Sequence, residues 1–164
     1  MSRNSIPWAI LSLGVMVADR LTKTLVERMT TNGWRRPVIP GFFDLVHTRN
    51  PGIAFGLLAD TRLPWMRVAL IGLSVIAAAA MAWLLIAGRA GGRRSRAGIA
   101  LILGGAAGNL FDRLLDGGVV DFLLFYFRSF EWPAFNVADS AIVIGAGLVL
   151  LELLLARHPE TEQA

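Results

Sequence analysis

The sequence predicts an α-helical membrane protein with four transmembrane helices and a small extracytoplasmic β-sheet and loop cap. Of the 164 residues, 55% are hydrophobic and 17% are charged, and the mean hydropathy is +0.57. Soluble domains average about a quarter charged residues. A chain this short cannot bury so much apolar surface in its own core, so lipid is the expected solvent. At this length we expect a single membrane-embedded domain, residues 1–164.

Four apolar segments are long enough to cross a hydrocarbon core of about 30 Å. They are predicted at residues 7–26, 68–88, 97–113 and 137–156. The third contains Gly104 and Gly108, a spacing that allows close approach of helices. The first could also be the apolar region of a signal peptide, but no small-residue cleavage site follows Ala18. We therefore expect the first segment to be a helix of the mature protein.

Arginine density predicts the orientation of these helices. Residues 89–96 contain four arginines and no acid, and Arg3 and Arg157 flank the outer ends of the first and last segments. Cytoplasmic loops are enriched in Lys and Arg, so both termini and residues 89–96 are expected in the cytoplasm. Residues 27–67 and 112–137 are then outside. The formal charge of +4 fits this topology, and no basic helix or zinc-ligand set indicates nucleic-acid binding.

Four antiparallel spans bring polar side chains together at one membrane face, whichever way the protein is inserted. These side chains are Asp19, Lys23, Asn109, Asp112, Arg113 and Asp139. An ionisable group at membrane depth costs about 2.5–3.5 kcal/mol to insert and usually has a function. For Arg20 and Lys23 the alternative is that their side chains extend to the lipid headgroups as anchors.

The two outer segments contain more than linker sequence. Alternation of apolar and polar residues within 37–58 predicts short strands, followed by a turn at residues 50–52. Residues 61–66 could form a short interfacial helix. Residues 124–132 are rich in aromatic side chains, and we expect a loop that either lies against lipid or packs on itself.

The reactive side chains limit the possible chemistry. The absence of cysteine excludes disulfides, thiol catalysis and thiolate metal sites, and the zinc-protease motif HExxH is also absent. A serine nucleophile such as Ser140 would depend on His47, since His158 lies on the opposite face of the predicted membrane domain. Carboxylate chemistry remains.

Asp121 and Asp139 form the best candidate pair. Asp121 lies between apolar residues, which should raise its pKa, whereas Asp139 begins a helix whose positive N-terminal end stabilises a carboxylate. Such opposed environments let one carboxyl group keep a proton while the other is ionised. The pair could then activate water without a covalent intermediate, provided that the fold brings the two side chains together.

Five sequence blocks resemble the signature blocks of the lipoprotein signal peptidase (signal peptidase II) family. In chain order they are DRLTK at 19–23, RNPGIAFG at 49–56, GAAGNLFDR at 105–113, VDF at 120–122 and FNVAD at 135–139. Their order and spacing agree with the family over nearly the whole chain, as does the four-span plan.

The resemblance implies an aspartic endopeptidase of the bacterial inner membrane, multi-pass, with its active site at the extracytoplasmic face. Such an enzyme cuts signal peptides from prolipoproteins just before the diacylglyceryl-modified cysteine. The implied catalytic pair is Asp121 and Asp139. The implied substrate-binding or supporting residues are Asn50, Gly52, Asn109, Arg113 and Asn136. Asp19, Lys23 and Asp112 are implied to be structural.

The resemblance implies no cofactor and no metal. The expected partners are lipidated prolipoproteins and membrane lipid, with no nucleic acid, and we expect a monomer. The alternative function is a small four-span proton-coupled transporter, which would place an acid near the bilayer midplane and have short loops. A purely structural membrane subunit is a further alternative, but it does not account for the clustered polar side chains.

Overall fold

The computed structural model describes residues 5–51 and 64–156, which form four helices and four strands. The helices are α1 (Ile6–Met29), α2 (Pro64–Ile86), α3 (Arg93–Leu115) and α4 (Val137–Ala156). The strands are β1 (Arg35–Ile39), β2 (Phe43–Asn50), β3 (Val119–Phe127) and β4 (Phe130–Glu131). The strands therefore lie between α1 and α2 and between α3 and α4, in the two segments predicted to be outside.

Within the part of the chain that the structure describes, three helices are long and apolar enough to cross a membrane. Their candidate spans are Arg67–Ile86, Arg93–Leu115 and Val137–Ala156, with mean hydropathies of 2.4, 1.3 and 2.1. α1 is long enough, at 24 residues, but it contains Asp19, Arg20 and Lys23 and is not one of the three. The count of four spans therefore stays a prediction.

The helix boundaries differ from the predicted ones mainly at α3. This helix begins at Arg93 instead of residue 97, so three of the four arginines predicted in the 89–96 loop lie in its first turn. The predicted segment followed the apolar run and so left out these arginines, although arginine is a good helix former. α4 has the predicted bounds. Of the predicted interfacial helix, residues 64–66 belong to α2 and residues 61–63 lie outside the described residues.

The strands form one antiparallel sheet with the order β1-β2-β3-β4. β2 is the strand predicted by alternation, and Thr48 pairs with Asp121 and Arg49 with Val120 across the β2–β3 ladder. The register shifts between Leu45 and Thr48, an irregularity that locally bends the strand. The pairing places Asp121 in the middle of the sheet, with Asn50 at the end of the adjacent strand.

The prediction of an aromatic loop at 124–132 is wrong, because residues 124–127 complete β3 and residues 130–131 form β4. Phe125 packs at the centre of an aromatic cluster, with ring centroids 5.3 Å from Phe42, 4.8 Å from Phe43 and 5.8 Å from Phe135. Part of this segment therefore packs on the sheet itself. Phe127 remains largely exposed.

α3 lies at the centre of the helices and contacts each of the other three. Glycine makes the closest of these contacts possible: a Cβ added to Gly98 would collide with the carbonyl oxygen of Gly145, and one added to Gly105 with that of Ala138. α3 and α4 therefore approach backbone to backbone. Gly104 meets α1 in the same way, at Ser12.

Candidate active site

The Asn136 side chain connects the two candidate catalytic aspartates. Its Nδ2 donates a hydrogen bond to Asp121 Oδ1 at 2.8 Å, and its Oδ1 accepts one from the backbone N–H of Asp139 at 2.9 Å. Asn136 is fully buried and immediately precedes α4, where its Oδ1 satisfies a backbone donor of the first turn. One amide therefore fixes β3 and the start of α4 relative to each other, and the structure brings Asp121 and Asp139 together.

Asp121 is buried in the centre of the sheet. Its side chain is 3% exposed, and Asn50 Nδ2 donates a hydrogen bond to its Oδ2 at 3.2 Å. Burial, and secondarily the negative charge of Asp139, raise the pKa of Asp121 to about 7. The predicted direction of this pKa shift is confirmed, and its cause is the removal of the carboxylate from water.

Asp139 occupies the first turn of α4 and is only partly buried. Its Oδ1 accepts a hydrogen bond from Asn109 Nδ2 at 2.8 Å. Its Oδ2 accepts none from the residues that the structure describes. Among the described residues, one carboxylate oxygen of Asp139 thus has a hydrogen-bond donor and the other has none.

A buried ion-pair cluster lies beneath this pair. Lys23 Nζ is 2.7 Å from Asp19 Oδ2, 2.8 Å from Asp112 Oδ2 and 2.9 Å from Asn109 Oδ1. Lys23, Asp19 and Asp112 all have 0% side-chain exposure. Asp112 also pairs with Arg20 at 2.8 Å. The predicted convergence of Asp19, Lys23, Asn109, Asp112 and Asp139 is confirmed by these contacts.

Arg113 and Gly52 complete the set of predicted site residues. The Arg113 side chain donates a hydrogen bond to the carbonyl of Asn109 at 3.3 Å, and its positive charge interacts with Asp121 and Asp139. Arg113 therefore lies at the same site as the pair. Gly52 lies outside the described residues.

Two alternatives from the sequence lose support. Lys23 does not extend to the membrane surface, because its ammonium group is fully enclosed by its partners. The serine alternative fails on geometry, since Ser140 Oγ donates to the carbonyl of Asn136 at 2.9 Å and His47 Nδ1 contacts Thr30 Oγ1 at 2.9 Å. Ser140 and His47 are each engaged elsewhere.

The sequence reasoning missed the partners of two surface arginines. Arg20 joins Asp112 to Glu27, and Arg49 joins Glu27 to the backbone carbonyl of Asp116. These contacts connect α1 to the end of α3 and to β2. The sequence showed that Arg20 and Arg49 lie inside the blocks DRLTK and RNPG. It did not show their partners, because Asp112 and Asp116 are far away along the chain.

The described residues contain no group of three or more His, Cys, Asp or Glu side chains placed to hold a metal ion. The buried acids are instead engaged by cations or amides, as with Asp19 and Asp112 around Lys23. The site brings together two carboxyl groups in different environments, with the cations of Arg113 and Lys23 nearby.

Comparison with known proteins gives a consistent result. A family model described as signal peptidase (SPase) II matches residues 11–155. A lipoprotein signal peptidase of Solibacter usitatus is 49% identical over 143 residues, covering 85% of each chain. That of Vibrio cholerae is 36% identical over 166 residues, covering 100% of this chain and 96% of its own.

Solved structures agree with the sequence comparison. A bacterial membrane enzyme determined by the in meso method has a TM-score of 0.83 and 28% sequence identity, over 96% of this chain and 93% of its own. A second has a TM-score of 0.78 and 29% identity. The fold is therefore that of a bacterial membrane enzyme, and the transporter alternative has no support. The chain belongs to the signal peptidase II family.

Proposed function

We propose that this protein is an aspartic endopeptidase that removes signal peptides from diacylglyceryl-modified prolipoproteins, with Asp121 and Asp139 as its catalytic pair. The main support for an aspartic mechanism is the Asn136 side chain, which hydrogen-bonds both to the Asp121 carboxyl group and to the backbone N–H of Asp139. Two carboxyl groups fixed by one amide can share a proton and act on one water molecule.

The mechanism assigns different roles to the two carboxyl groups. Asp121 holds the proton, since burial raises its pKa to about 7, and Asp139, in the first turn of α4, serves as the base. A water oxygen bonds to the carbonyl carbon of the scissile amide, the water's proton passes to Asp139, and the carbonyl oxygen takes the proton of Asp121. The C–N bond then breaks as Asp139 protonates the leaving nitrogen and one hydroxyl of the diol returns a proton to Asp121.

The remaining site residues support the pair or hold substrate. Asn109 and Asn136 orient the carboxyl groups, and Asn50 donates to Asp121. Arg113 faces both carboxylates and offers five donors in a planar arrangement, which suits backbone carbonyls or lipid ester oxygens. Gly52 is proposed as a substrate-binding residue on the family resemblance alone.

The substrate is proposed from the relatives and from the position of the site. The relatives are named lipoprotein signal peptidases. A diacylglyceryl-modified cysteine anchors its peptide in lipid, so the bond just before that cysteine lies at the membrane surface. The pair lies at the ends of membrane helices, at the start of α4 and beside the end of α3. No cofactor is needed, and the enzyme is proposed to act as a monomer.

The surface of α1 supports the proposal that it is the fourth span. Its outer surface is apolar, with Ile10 and Leu21 each 65% exposed, while Asp19 and Lys23 are fully buried. A water-soluble helix has the opposite arrangement, with its charged side chains exposed. In α1 the charges of Asp19 and Lys23 pair inside the protein and do not face lipid. At about 1.5 Å per residue, 24 residues span about 36 Å.

The proposed orientation places both termini in the cytoplasm of a bacterial plasma membrane and the catalytic pair at the extracytoplasmic face. The support is the arginines at the start of α3, at the other end of that helix from Asn109. Because the chain has no cysteine, a single introduced cysteine gives an unambiguous label. A cysteine at the exposed position Arg94 should resist an impermeant thiol reagent in intact cells, and one at Asp116 should react. The reverse pattern would contradict the orientation.

Cleavage of two matched peptides tests the substrate. The purified protein should cut a peptide containing a diacylglyceryl-modified cysteine on the N-terminal side of that cysteine, with products identified by mass spectrometry. The same peptide with an unmodified cysteine should be cut far more slowly. Equal cleavage of both peptides would reject lipid recognition, and no cleavage of either would reject the proposed function.

A further inference from the structure

Lys23 is an unusual residue for the interior of a membrane protein. Its side chain is completely buried, and its Nζ has three acceptors within 2.9 Å, Asp19 Oδ2, Asp112 Oδ2 and Asn109 Oδ1. Asp19 and Asp112 contact the ammonium as ion-pair partners, and the ammonium donates a hydrogen bond to Asn109 Oδ1. Two of the acceptors neutralise the charge. The third is neutral, and it is the one that leads to Asp139.

Asn109 has a fixed amide orientation because of these contacts. Its Oδ1 accepts from Lys23 Nζ at 2.9 Å and from Asn136 Nδ2 at 3.3 Å. Its Nδ2 donates to Asp139 Oδ1 at 2.8 Å. Rotating the amide by half a turn would bring its NH₂ group against the ammonium and its oxygen against the carboxylate. Both contacts would be repulsive, so the ammonium selects the orientation that donates to Asp139.

If position 23 served only packing, an apolar side chain would fill it without the cost of burying a charge. Burying an ion pair in place of apolar side chains of similar volume is often neutral or unfavourable for stability. Lys23 and Asp19 nevertheless occupy a site with no solvent access, one hydrogen bond away from Asn109. What the ammonium contributes, and a methylene chain would not, is a donor at Asn109 Oδ1.

We infer that Lys23 is a positioning residue for the catalytic pair: through Asn109 it fixes Asp139 Oδ1 and so directs Asp139 Oδ2 towards the attacking water. This inference rests on the proposed aspartic mechanism. It gives Lys23 a role in the chemical step beyond the structural role implied by the family resemblance. Asn109 is the intermediary, and Lys23 touches neither substrate nor water.

The charged groups around the catalytic pair determine how replacing Lys23 should change the pH at which the pair loses its proton. α1 contributes Asp19 and Arg20, α3 contributes Asp112 and Arg113, and α4 and β3 contribute the pair itself. The positive charge of Lys23 acts to lower the pKa of Asp121, against the larger effects of burial and of Asp139. Removing it should let the pair keep its proton to higher pH.

The test uses double variants that replace one buried cation and one buried carboxylate together, so that the net charge of the cluster does not change. Asp19→Asn with Lys23→Met removes one charge of each sign and leaves Asp112 paired with Arg20. Lys23→Met with Asp112→Asn is the second such pair; Asp19 then loses its cation but keeps the hydrogen bond from the backbone N–H of Ala138. For each variant that inserts, kcat should fall about ten- to hundred-fold, the value of one hydrogen bond to a charged group. KM should change little, and the alkaline limb of the kcat profile should move to higher pH.

Arg20→Gln is the matched control, because it removes a cation from the same cluster without touching Asn109. It should lower thermal stability but leave kcat and the alkaline limb as in the wild type. A double variant with a wild-type kcat and pH profile would overturn the inference, as would the failure of both pairs to yield inserted protein, which would make Lys23 a folding determinant. If Asp121→Asn is itself active, the proposed mechanism has failed and not this inference alone.

Discussion

α4 carries two acids, one near each end, and they differ in how completely the protein uses them. Both oxygens of Glu152 are occupied, Oε1 by the backbone N–H of Gly92 at 2.6 Å and Oε2 by that of Ser95 at 2.9 Å. Within the described residues, Asp139 has a hydrogen-bond donor at Oδ1, from Asn109, and none at Oδ2. Glu152 caps the start of α3, where a helix leaves backbone N–H donors without partners, so both of its oxygens have a structural role. Asp139 has one carboxylate oxygen without a donor among the described residues, and this oxygen can accept a proton from a water molecule. The comparison therefore distinguishes a structural carboxylate, Glu152, from a reactive one, Asp139.

The largest effect is expected when the charge of each proposed catalytic acid is removed, and this tests whether Asp139 differs in function from Glu152. Asp139→Asn and Asp121→Asn should each lower kcat by at least roughly 10²–10⁴, because asparagine can neither accept the water's proton nor share one. Their double variant should be little worse than either single variant, since the two act as a unit. Cleavage of a lipidated peptide measures these rates.

Asp116→Asn is the control for those variants, because Asp116 is exposed at the end of α3 and its contacts use backbone atoms. It should cleave at the wild-type rate. A wild-type rate for Asp139→Asn would refute the catalytic pair and make the two acids of α4 equivalent.

Substitutions around the pair should have the next largest effect. Arg113→Ala and Asn50→Ala should each lower kcat/KM about ten- to hundred-fold, because each removes a hydrogen-bond donor or cation facing a carboxylate. Arg113→Lys should restore little, since lysine lacks the planar set of donors. Folding is checked by detergent gel filtration, and a wild-type kcat/KM in either alanine variant would remove that residue from the site.

The pH dependence sharpens the comparison further. The pKa of Asp121 is raised from 3.8 to about 7, so its proton is present well above the pH at which an exposed carboxyl group would lose it. As the pH rises through about 7 the pair loses this proton, and kcat should then fall about tenfold per pH unit. A profile that stays flat from pH 6 to roughly pH 9 would contradict the assignment of the proton to Asp121.

Glu152→Gln should have the smallest effect and should separate the two acids of α4 most clearly. Glutamine keeps one oxygen acceptor but loses the charge that favours the N-terminal end of α3. The melting temperature should fall by roughly 2–4 °C, with kcat unchanged. A fall in kcat without a change in melting temperature would show that the far end of α4 is linked to the chemistry.

The sequence predicted the helices and the clustering of polar groups because both follow from hydropathy and from chain direction. It failed at β3, where the run VVDFLLFYF shows no alternation because its first four residues are all buried. Period-two patterns appear only when one face of a strand is exposed. The sequence placed Lys23 at the same face as Asn109 but left open whether its ammonium is buried or extends to the headgroups, because that depends on contacts between side chains 86 residues apart. The pairing of Asp121 with Asp139 depended on the family resemblance.

The close contacts between α3 and α4 set the precision of the candidate site. Gly98 meets Gly145 and Gly105 meets Ala138, each at backbone distance, so the two helices interlock at two points along their length. A slide of one residue would displace α4 by about 1.5 Å relative to α3. That displacement is large enough to break the bond between Asn109 and Asp139, which is 2.8 Å long. Backbone contacts between the two helices, one at Ala138 next to Asp139 and one at Gly145 farther along α4, therefore set the position of the Asp139 carboxylate relative to Asn109.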